Sequence, residues 1–239
     1  INKISAPKAR NIGFDNSDSD LVHFLDDDDY LSDSFYADTL NNWSSDEIIG
    51  ISHSVQWISD KDNTKNYSIR KFNSISQRDL IKENYVGITS SVVLRSSIFR
   101  KVGGFSIDMK ARQDYDLWLK MARYGIFKTL KKINVFWTHH IDNYSISNSN
   151  KIDKHIEAIG KLRKKKKELL TNYNDLFLKL SSESNHYLYL ARRTKRINIF
   201  YFLKYAFLSF ICMPNIKIFV EIIPYFISRK IRMILYKYL

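Results

Sequence analysis

The sequence predicts an α/β fold followed by a helical, basic C-terminal region. Three observations predict it. A short apolar run, Leu21 to Leu25, leads straight into four consecutive aspartates, Asp26 to Asp29. From there to Trp137, strand-like segments alternate with segments of helical spacing. After Lys151 the alternation stops, and long helical patterns rich in Lys, Arg and aromatic residues take over.

The elements follow in order. Ala9 to Gly13 predicts a short helix, and Asn16-Ser17-Asp18-Ser19 the turn after it. Leu21–Leu25 reads as a strand that delivers the aspartates to its C-terminal end, where open α/β sheets bind ligands. Leu31 to Ser34 predicts a helix start with Ser32 or Asp33 as cap, and turns Phe35, Leu40 and Trp43 inward. Residues 47–57 alternate as a strand through Ile49, Ile51, Val55 and Trp57, and residues 60–66 form a polar hairpin tip. Residues 85–94 read as a turn and a buried strand. Residues 96–102 are a short helix closed by Gly103-Gly104. From Asp114 to Tyr124 the spacing of Leu117, Trp118, Met121 and Ala122 is helical, with Gly125 as its stop. Residues 133–137 are a last strand, and the polar run 143–150 a boundary.

Beyond the boundary a helix runs through Ile156, Ile159, Leu162, Leu169 and Leu170 and carries the basic run Arg163 to Lys167. A second covers 187–196. Residues 199–213 are apolar except for Lys204 and end at Pro214. Residues 216–239, interrupted by Pro224, read as an interfacial amphipathic helix.

The apolar share of 44% in 239 residues supports a packed core plus an appendage. The single cysteine, Cys212, excludes an internal disulfide framework and a cysteine-built metal site, and fits a reducing compartment. The start, Ile1-Asn2-Lys3-Ile4, carries neither an initiator Met nor a signal pattern, so the chain is expected to begin inside a longer protein. Charge divides the chain. Residues 1–150 hold 19 Lys and Arg against 19 Asp and Glu, while residues 151–239 hold 19 against 6. A neutral front is expected to carry the chemistry, and a basic rear to face something anionic, either lipid headgroups or nucleic acid. No recognition helix, zinc pattern or aromatic-glycine RNA motif supports nucleic acid. An anionic membrane surface is therefore the expected partner, with Lys164–Lys167 adding to the attraction. The 15 residues of 199–213 are short of the ~20 that span a bilayer.

Four adjacent carboxylates repel one another unless a cation or water separates them. Hard oxygen ligands at a strand end suit Mg²⁺ or Mn²⁺ carrying a phosphate-bearing substrate. By itself the run also fits an acidic, solvated turn.

Two further motifs add to it: Ala9-Arg10-Asn11-Ile12-Gly13 upstream, and Gly103-Gly104-Phe105 followed by Gln113-Asp114-Tyr115-Asp116-Leu117-Trp118-Leu119 downstream. This order resembles glycosyltransferase family 2, inverting enzymes that use sugar nucleotides and have the GT-A fold. The resemblance covers about residues 6–145. It implies a GT-A-like (Rossmann-like) mixed sheet flanked by helices, partial over residues 1–150 because the family's first nucleotide-binding strands are missing. Residues 151–239 would be a helical membrane-associating region. The implied reaction transfers a sugar from a nucleoside-diphosphate sugar, a UDP-sugar foremost, to a hydroxyl of a lipid-linked or cell-surface glycan. The chain would work on the cytoplasmic side, peripheral at the inner face of the cell membrane.

The resemblance also implies site roles. Asp28 would bind the divalent metal (Mn or Mg), and Asp26 would lie near the ribose or the metal. Asp27 sits within the motif, where simple exposure is the competing reading. Asp114 would be the general base, with a helix N-cap as its alternative role. Gln113 stands where the family usually has Glu, which implies an adjusted acceptor site. Arg10 and Asn11 are carried over to the nucleotide side; Arg10 could equally brace the acidic loop. Trp118 is either a sugar platform or core. His140, beside His139 after the last strand, would approach the metal and diphosphate, and His140-Ile141-Asp142-Asn143 with Ser145 and Ser147 resembles the family's tail motif. Two other readings stay open: an inactive membrane-associated remnant of such an enzyme, and a Mg-dependent phosphohydrolase.

Overall fold

The computed structural model describes residues 4–59, 65–139, 152–195 and 197–214. The chain forms two compact units, Ile1–Leu80 with Asn84–Ser149, and Ile81–Glu83 with Asn150–Leu239.

The first unit is built on a mixed sheet. Its strands are β1 (Leu21–His23), β2 (Tyr30–Leu31), β3 (Ile48–Ser59), β4 (Lys65–Ser68), β5 (Ser74–Ile75), β6 (Val92–Arg95) and β7 (Ile126–His139). The order is β1-β6-β3-β7-β2, with β4 on β3 and β5 on β7. β3 and β7 pair in parallel, and every other pairing is antiparallel. Hence β1, β3 and β7 run one way and β2 and β6 the other. The loop after β1, the turn before β6 and the end of β7 therefore share one end of the sheet. The helices are α1 (Ala6–Asp15), α2 (Phe35–Asn41), α3 (Gln77–Lys82), α4 (Ser96–Lys101) and α5 (Gln113–Met121).

The apolar alternation of the strands places Val55, Val93 and Val135 with Phe35 of α2 in one cluster, against which Leu31, Trp43 and Trp137 pack. Each such side chain, fully buried, contributes about 1.5–3 kcal/mol. Leu40, expected inward, is 60% exposed. The expected strand at 133–137 is the second half of a 14-residue strand. A bulge hides the first half: His53 pairs Leu130 and Ser54 pairs Ile133, so Lys131-Lys132 is looped out and the period of two is broken. Gly125 does not stop α5, which ends at Met121. A Cβ there would lie 2.2 Å from the Glu47 carbonyl oxygen, so the glycine serves the close approach that starts β7 beside β3.

A polar network runs through this core. His53 is fully buried, with Nδ1 accepting from Asn134 Nδ2 at 3.0 Å. The Thr39 hydroxyl donates to the Phe35 carbonyl at 2.8 Å, so it accepts from His53 Nε2–H, also at 2.8 Å. These partners require the neutral ring protonated on Nε2. Burial pushes the His53 pKa down to about 4, with Asp38 partly opposing. A depressed folded-state pKa gives stability that is complete above the unfolded value of 6.5 and lost as pH falls through about 4. The urea midpoint should fall across that window, by about 3 kcal/mol of stability from His53 alone. In His53→Gln the fall should be shallower; an equally steep fall would exclude His53 as its cause.

The second unit contains α6 (Ile152–Leu170), α7 (Leu176–Thr194) and α8 (Ile199–Cys212). Asp175 caps α7 by accepting from the Leu178 N–H at 2.9 Å, and Asn198 caps α8 by accepting from Phe200 and Tyr201. α7 begins well before the expected residue 187. The polar run Ser181 to Asn185 obscured it, yet Ser182 and Ser184 are buried. Ser184 and Ser209 each donate a hydroxyl to the other's carbonyl, at 3.0 and 2.8 Å, which joins α7 to α8. The run 163–167 is not one solvated face: Lys166 is 1% exposed. The expected amphipathic helix at 216–239 lies outside the described residues.

Candidate functional site

The aspartates follow β1 as a turn closed by the Asp29 N–H on the Asp26 carbonyl, 3.2 Å. The turn is anchored to the 3₁₀ segment Thr89–Ser91 that precedes β6. Asp26 N–H donates to Ser90 Oγ at 3.2 Å, and His23 Nε2–H donates to the Ser90 carbonyl at 2.9 Å. From the end of β7, the Thr138 hydroxyl donates to the Asp28 carbonyl at 2.7 Å. Three strands thus hold one acidic loop.

The four carboxylates differ. Asp27 is exposed, and Asp26 and Asp28 are half-buried. Asp29 is 6% exposed, and neither of its carboxylate oxygens has a hydrogen-bond partner. Burial pushes its pKa up to about 6. The Ser90 hydroxyl and the Thr138 backbone, outside good hydrogen-bond geometry, offset only part of this, while Asp26 and Asp28 add repulsion.

Arg10, on α1, pairs with Asp26 at 2.5 Å and lies over the Phe105 ring. This ion pair ties α1 to the acidic loop. The positive field of Arg10 also reaches Asp114. Asn11, one residue on, places its amide across the Gly-Gly-Phe loop: Nδ2 donates to the Phe105 carbonyl and Oδ1 accepts the Phe105 N–H, both at 2.9 Å. Asn11 is thereby a loop bracket, which accounts for its amide without a nucleotide. Asp116 holds the same loop from α5 by accepting from Ser106 Oγ at 2.6 Å.

Asp114 lies in the first turn of α5, just after Arg112, whose φ of 55° turns the chain into the helix. Burial raises its pKa; Arg112, the Tyr115 N–H and Arg10 oppose the rise. Asn84 Nδ2 approaches Asp114 Oδ2 at 3.4 Å, and Asn84 Oδ1 accepts the Gly87 N–H at 3.0 Å. Gln113 donates to the Met109 carbonyl at 3.0 Å. Trp118 is fully buried, with its indole N–H on the Gly87 carbonyl at 3.0 Å, so it is core and not a sugar platform. His140 and the tail residues after it lie outside the described residues.

Sequence reasoning missed Asn84, Gly87 and Arg70. Gly87 has φ 101°, and a Cβ there would lie 2.3 Å from the Arg70 guanidinium. Arg70 is 8% exposed and donates to the His53 carbonyl at 2.9 Å and to Ser91 Oγ at 3.0 Å. The segment 84–91 therefore touches Asp114 at one end and the acidic loop at the other. The Asn84-x-x-Gly87 spacing was its only sequence signal. An open cleft of about 630 Å³, lined by Asp20, Trp43, Arg95 and Arg100, lies at the opposite end of the sheet, before β1 and after β6.

Among the described residues, no three His, Cys, Asp or Glu side chains converge as a metal cage. The oxygens of Asp28 and Asp29 fit a hard cation that keeps water and substrate phosphates in its shell, as Mg²⁺ does with one or two carboxylates. The two unpartnered oxygens of Asp29 add to this fit.

The fold is similar to that of crystal structures of S. aureus TarS residues 1–349. The form in complex with UDP-GlcNAc is 13% identical, with a TM-score of 0.57 over 89% of this chain and 63% of that one. The form in complex with UDP is 12% identical, with a TM-score of 0.53 over 87% and 60%. The chain thus spans less than two thirds of the length of either, and the likeness shows the GT-A-like fold. No curated protein matches the sequence significantly. The model of glycosyltransferase-like family 2 matches residues 2–204, across both units. With its acidic loop, Gly-Gly-Phe loop and helix-borne Asp114 assembled on a GT-A-like sheet, the chain belongs to glycosyltransferase-like family 2.

Proposed function

We propose that the chain takes part in metal-dependent, inverting transfer of a sugar from a nucleoside-diphosphate sugar to a hydroxyl of a glycan. A UDP-sugar is the preferred donor, because the TarS structures of similar fold hold UDP-GlcNAc and UDP. The observation that carries the reading is the position of Arg10. It is bonded to Asp26 and close enough to Asp114 to oppose the rise in its pKa. Both relations support reading the acidic loop and the helix-borne carboxylate as one site.

In this reading Asp114 accepts the proton of the attacking hydroxyl. That oxygen forms a bond to the anomeric carbon as the bond to the diphosphate breaks, with the electron pair leaving on the diphosphate. A base on the face opposite the leaving group inverts the anomeric configuration. Burial that raises the Asp114 pKa suits this role, because a base works best with its pKa nearer the operating pH. Asn84 orients the carboxylate. Asp28, with Asp26 and Asp29 beside it, would hold the divalent ion, and His140 is a further candidate ligand. When bound, the ion neutralises charge on the diphosphate as a Lewis acid. Arg10 keeps Asp26 in place through their ion pair, and Asn11 and Asp116 hold the loop that borders the acceptor side. Gln113 leaves that side one charge less acidic than Glu would. The acceptor is proposed to be lipid-linked or at the cell surface, reached from the cytoplasmic face of the membrane.

Calorimetric titration with UDP, with and without Mg²⁺, tests the donor half. Binding should require the metal and weaken about tenfold or more in Asp28→Ala, consistent with loss of a charged ligand. Binding that ignores both metal and mutation would contradict this assignment.

A further inference from the structure

α8 is apolar on two opposite faces. One buries Phe202, Tyr205, Ala206 and Ser209. The other carries Phe200, Leu203, Phe207 and Ile211, which are 79, 45, 62 and 60% exposed. These four recur at helical spacing and form one stripe, on which Lys204, also exposed, is the sole charge. A helix apolar all round has partners all round. Here the described residues supply a partner for one face only.

We propose that the outward face of α8 docks on the surface of an anionic lipid bilayer. Length argues for lying on the membrane and against crossing it. Fourteen residues reach about 21 Å, against a hydrocarbon core of about 30 Å. Among the described residues no helix is long and apolar enough to cross a membrane. Charge argues for lipid. Residues 184–214 contain five Lys and Arg and no acid. Four of the five precede α8 in sequence: Arg192 and Arg193 in the last turn of α7, then Lys195 and Arg196, followed after α8 begins by Phe200 and Tyr201. Cations beside aromatic rings suit the headgroup layer. Exposed Lys204 fits this setting: at a bilayer its stem lies among acyl chains while the ammonium reaches the headgroups. The run 163–167, with Lys166 buried, offers no comparable face.

The proposal stands on the second unit alone, and its test needs neither donor nor acceptor, so it can fail or hold independently of the transfer reaction. The full 239-residue chain would be sedimented with vesicles of phosphatidylcholine plus phosphatidylglycerol, and of phosphatidylcholine alone. Binding should be about tenfold or more stronger to the mixed vesicles. Phe207→Asp should lower it by about tenfold or more on both. Lys204→Glu should weaken binding to mixed vesicles and leave phosphatidylcholine binding unchanged. Both positions are exposed, and thermal unfolding checks that each variant folds. Absence of vesicle binding by the native chain, or native-like binding by Phe207→Asp, overturns the proposal. So does a dimer, seen by light scattering, that Phe207→Asp converts to monomer without changing vesicle binding; the face would then join two copies of the chain.

Discussion

Asp114→Asn should lower kcat/KM for sugar transfer by about 10²–10⁴-fold, the usual contribution of a positioned base. The fold should not suffer. Asp114 has a folded-state pKa above its unfolded value, so its contribution to stability is present below the unfolded pKa and lost as pH rises through the folded one. Burial disfavours the charged form of this carboxyl, and the neutral amide should leave Tm unchanged or raise it. Loss of activity together with a steady or higher Tm would mark a residue kept for function. The pH profile gives a second reading. The acid limb of kcat/KM should lie above the ordinary aspartate range near 3.9. Arg112 is the strongest charge opposing the rise, so Arg112→Asn should move that limb to higher pH. Asn suits the test because it tolerates the left-handed backbone at φ 55°. An acid limb that ignores Arg112→Asn would separate Asp114 from the titration.

Gly87→Ala should damage both stability and activity. The φ of 101° is open to glycine and strained for alanine, at a cost of about 1–3 kcal/mol. A methyl group there meets the Arg70 guanidinium, which cannot move without loosening its bonds to the His53 carbonyl and Ser91 Oγ. Bonds from a charged donor are worth about 1.5–3 kcal/mol each. The expected loss is therefore about 3 kcal/mol or more, measured by urea unfolding. Activity should fall beyond the loss of folded protein, because the segment leads to Asn84 at Asp114 and to Ser90 at the acidic loop. Native stability in this variant would show that the segment is free to adapt.

The sheet and the acidic loop were legible because their signals are local: an apolar run ending in aspartates, strands of period two, a glycine pair after a short helix. The long β7 was not, because a bulge at Lys131-Lys132 interrupts its period, and α7 was masked by serines that serve close packing against α8. The motif order brought Asp26–Asp29 and Asp114 to notice, but the division of labour around them depends on distance in space. Arg10 as a tie to the acidic loop, Asn11 as a loop bracket and Trp118 as core follow from partners 16, 94 and 31 residues away. Asn84 and Arg70 are ordinary polar residues in sequence and acquire meaning only through Gly87.

The anomeric configuration of the first product tests the central claim most directly. UDP-GlcNAc would be incubated with the chain and Mg²⁺, and the sugar released to water or acceptor followed by proton NMR before mutarotation. A single displacement assisted by Asp114 predicts an inverted anomer, formed by the native chain and almost absent with Asp114→Asn. A retained anomer, or release that proceeds equally in Asp114→Asn, would contradict the account.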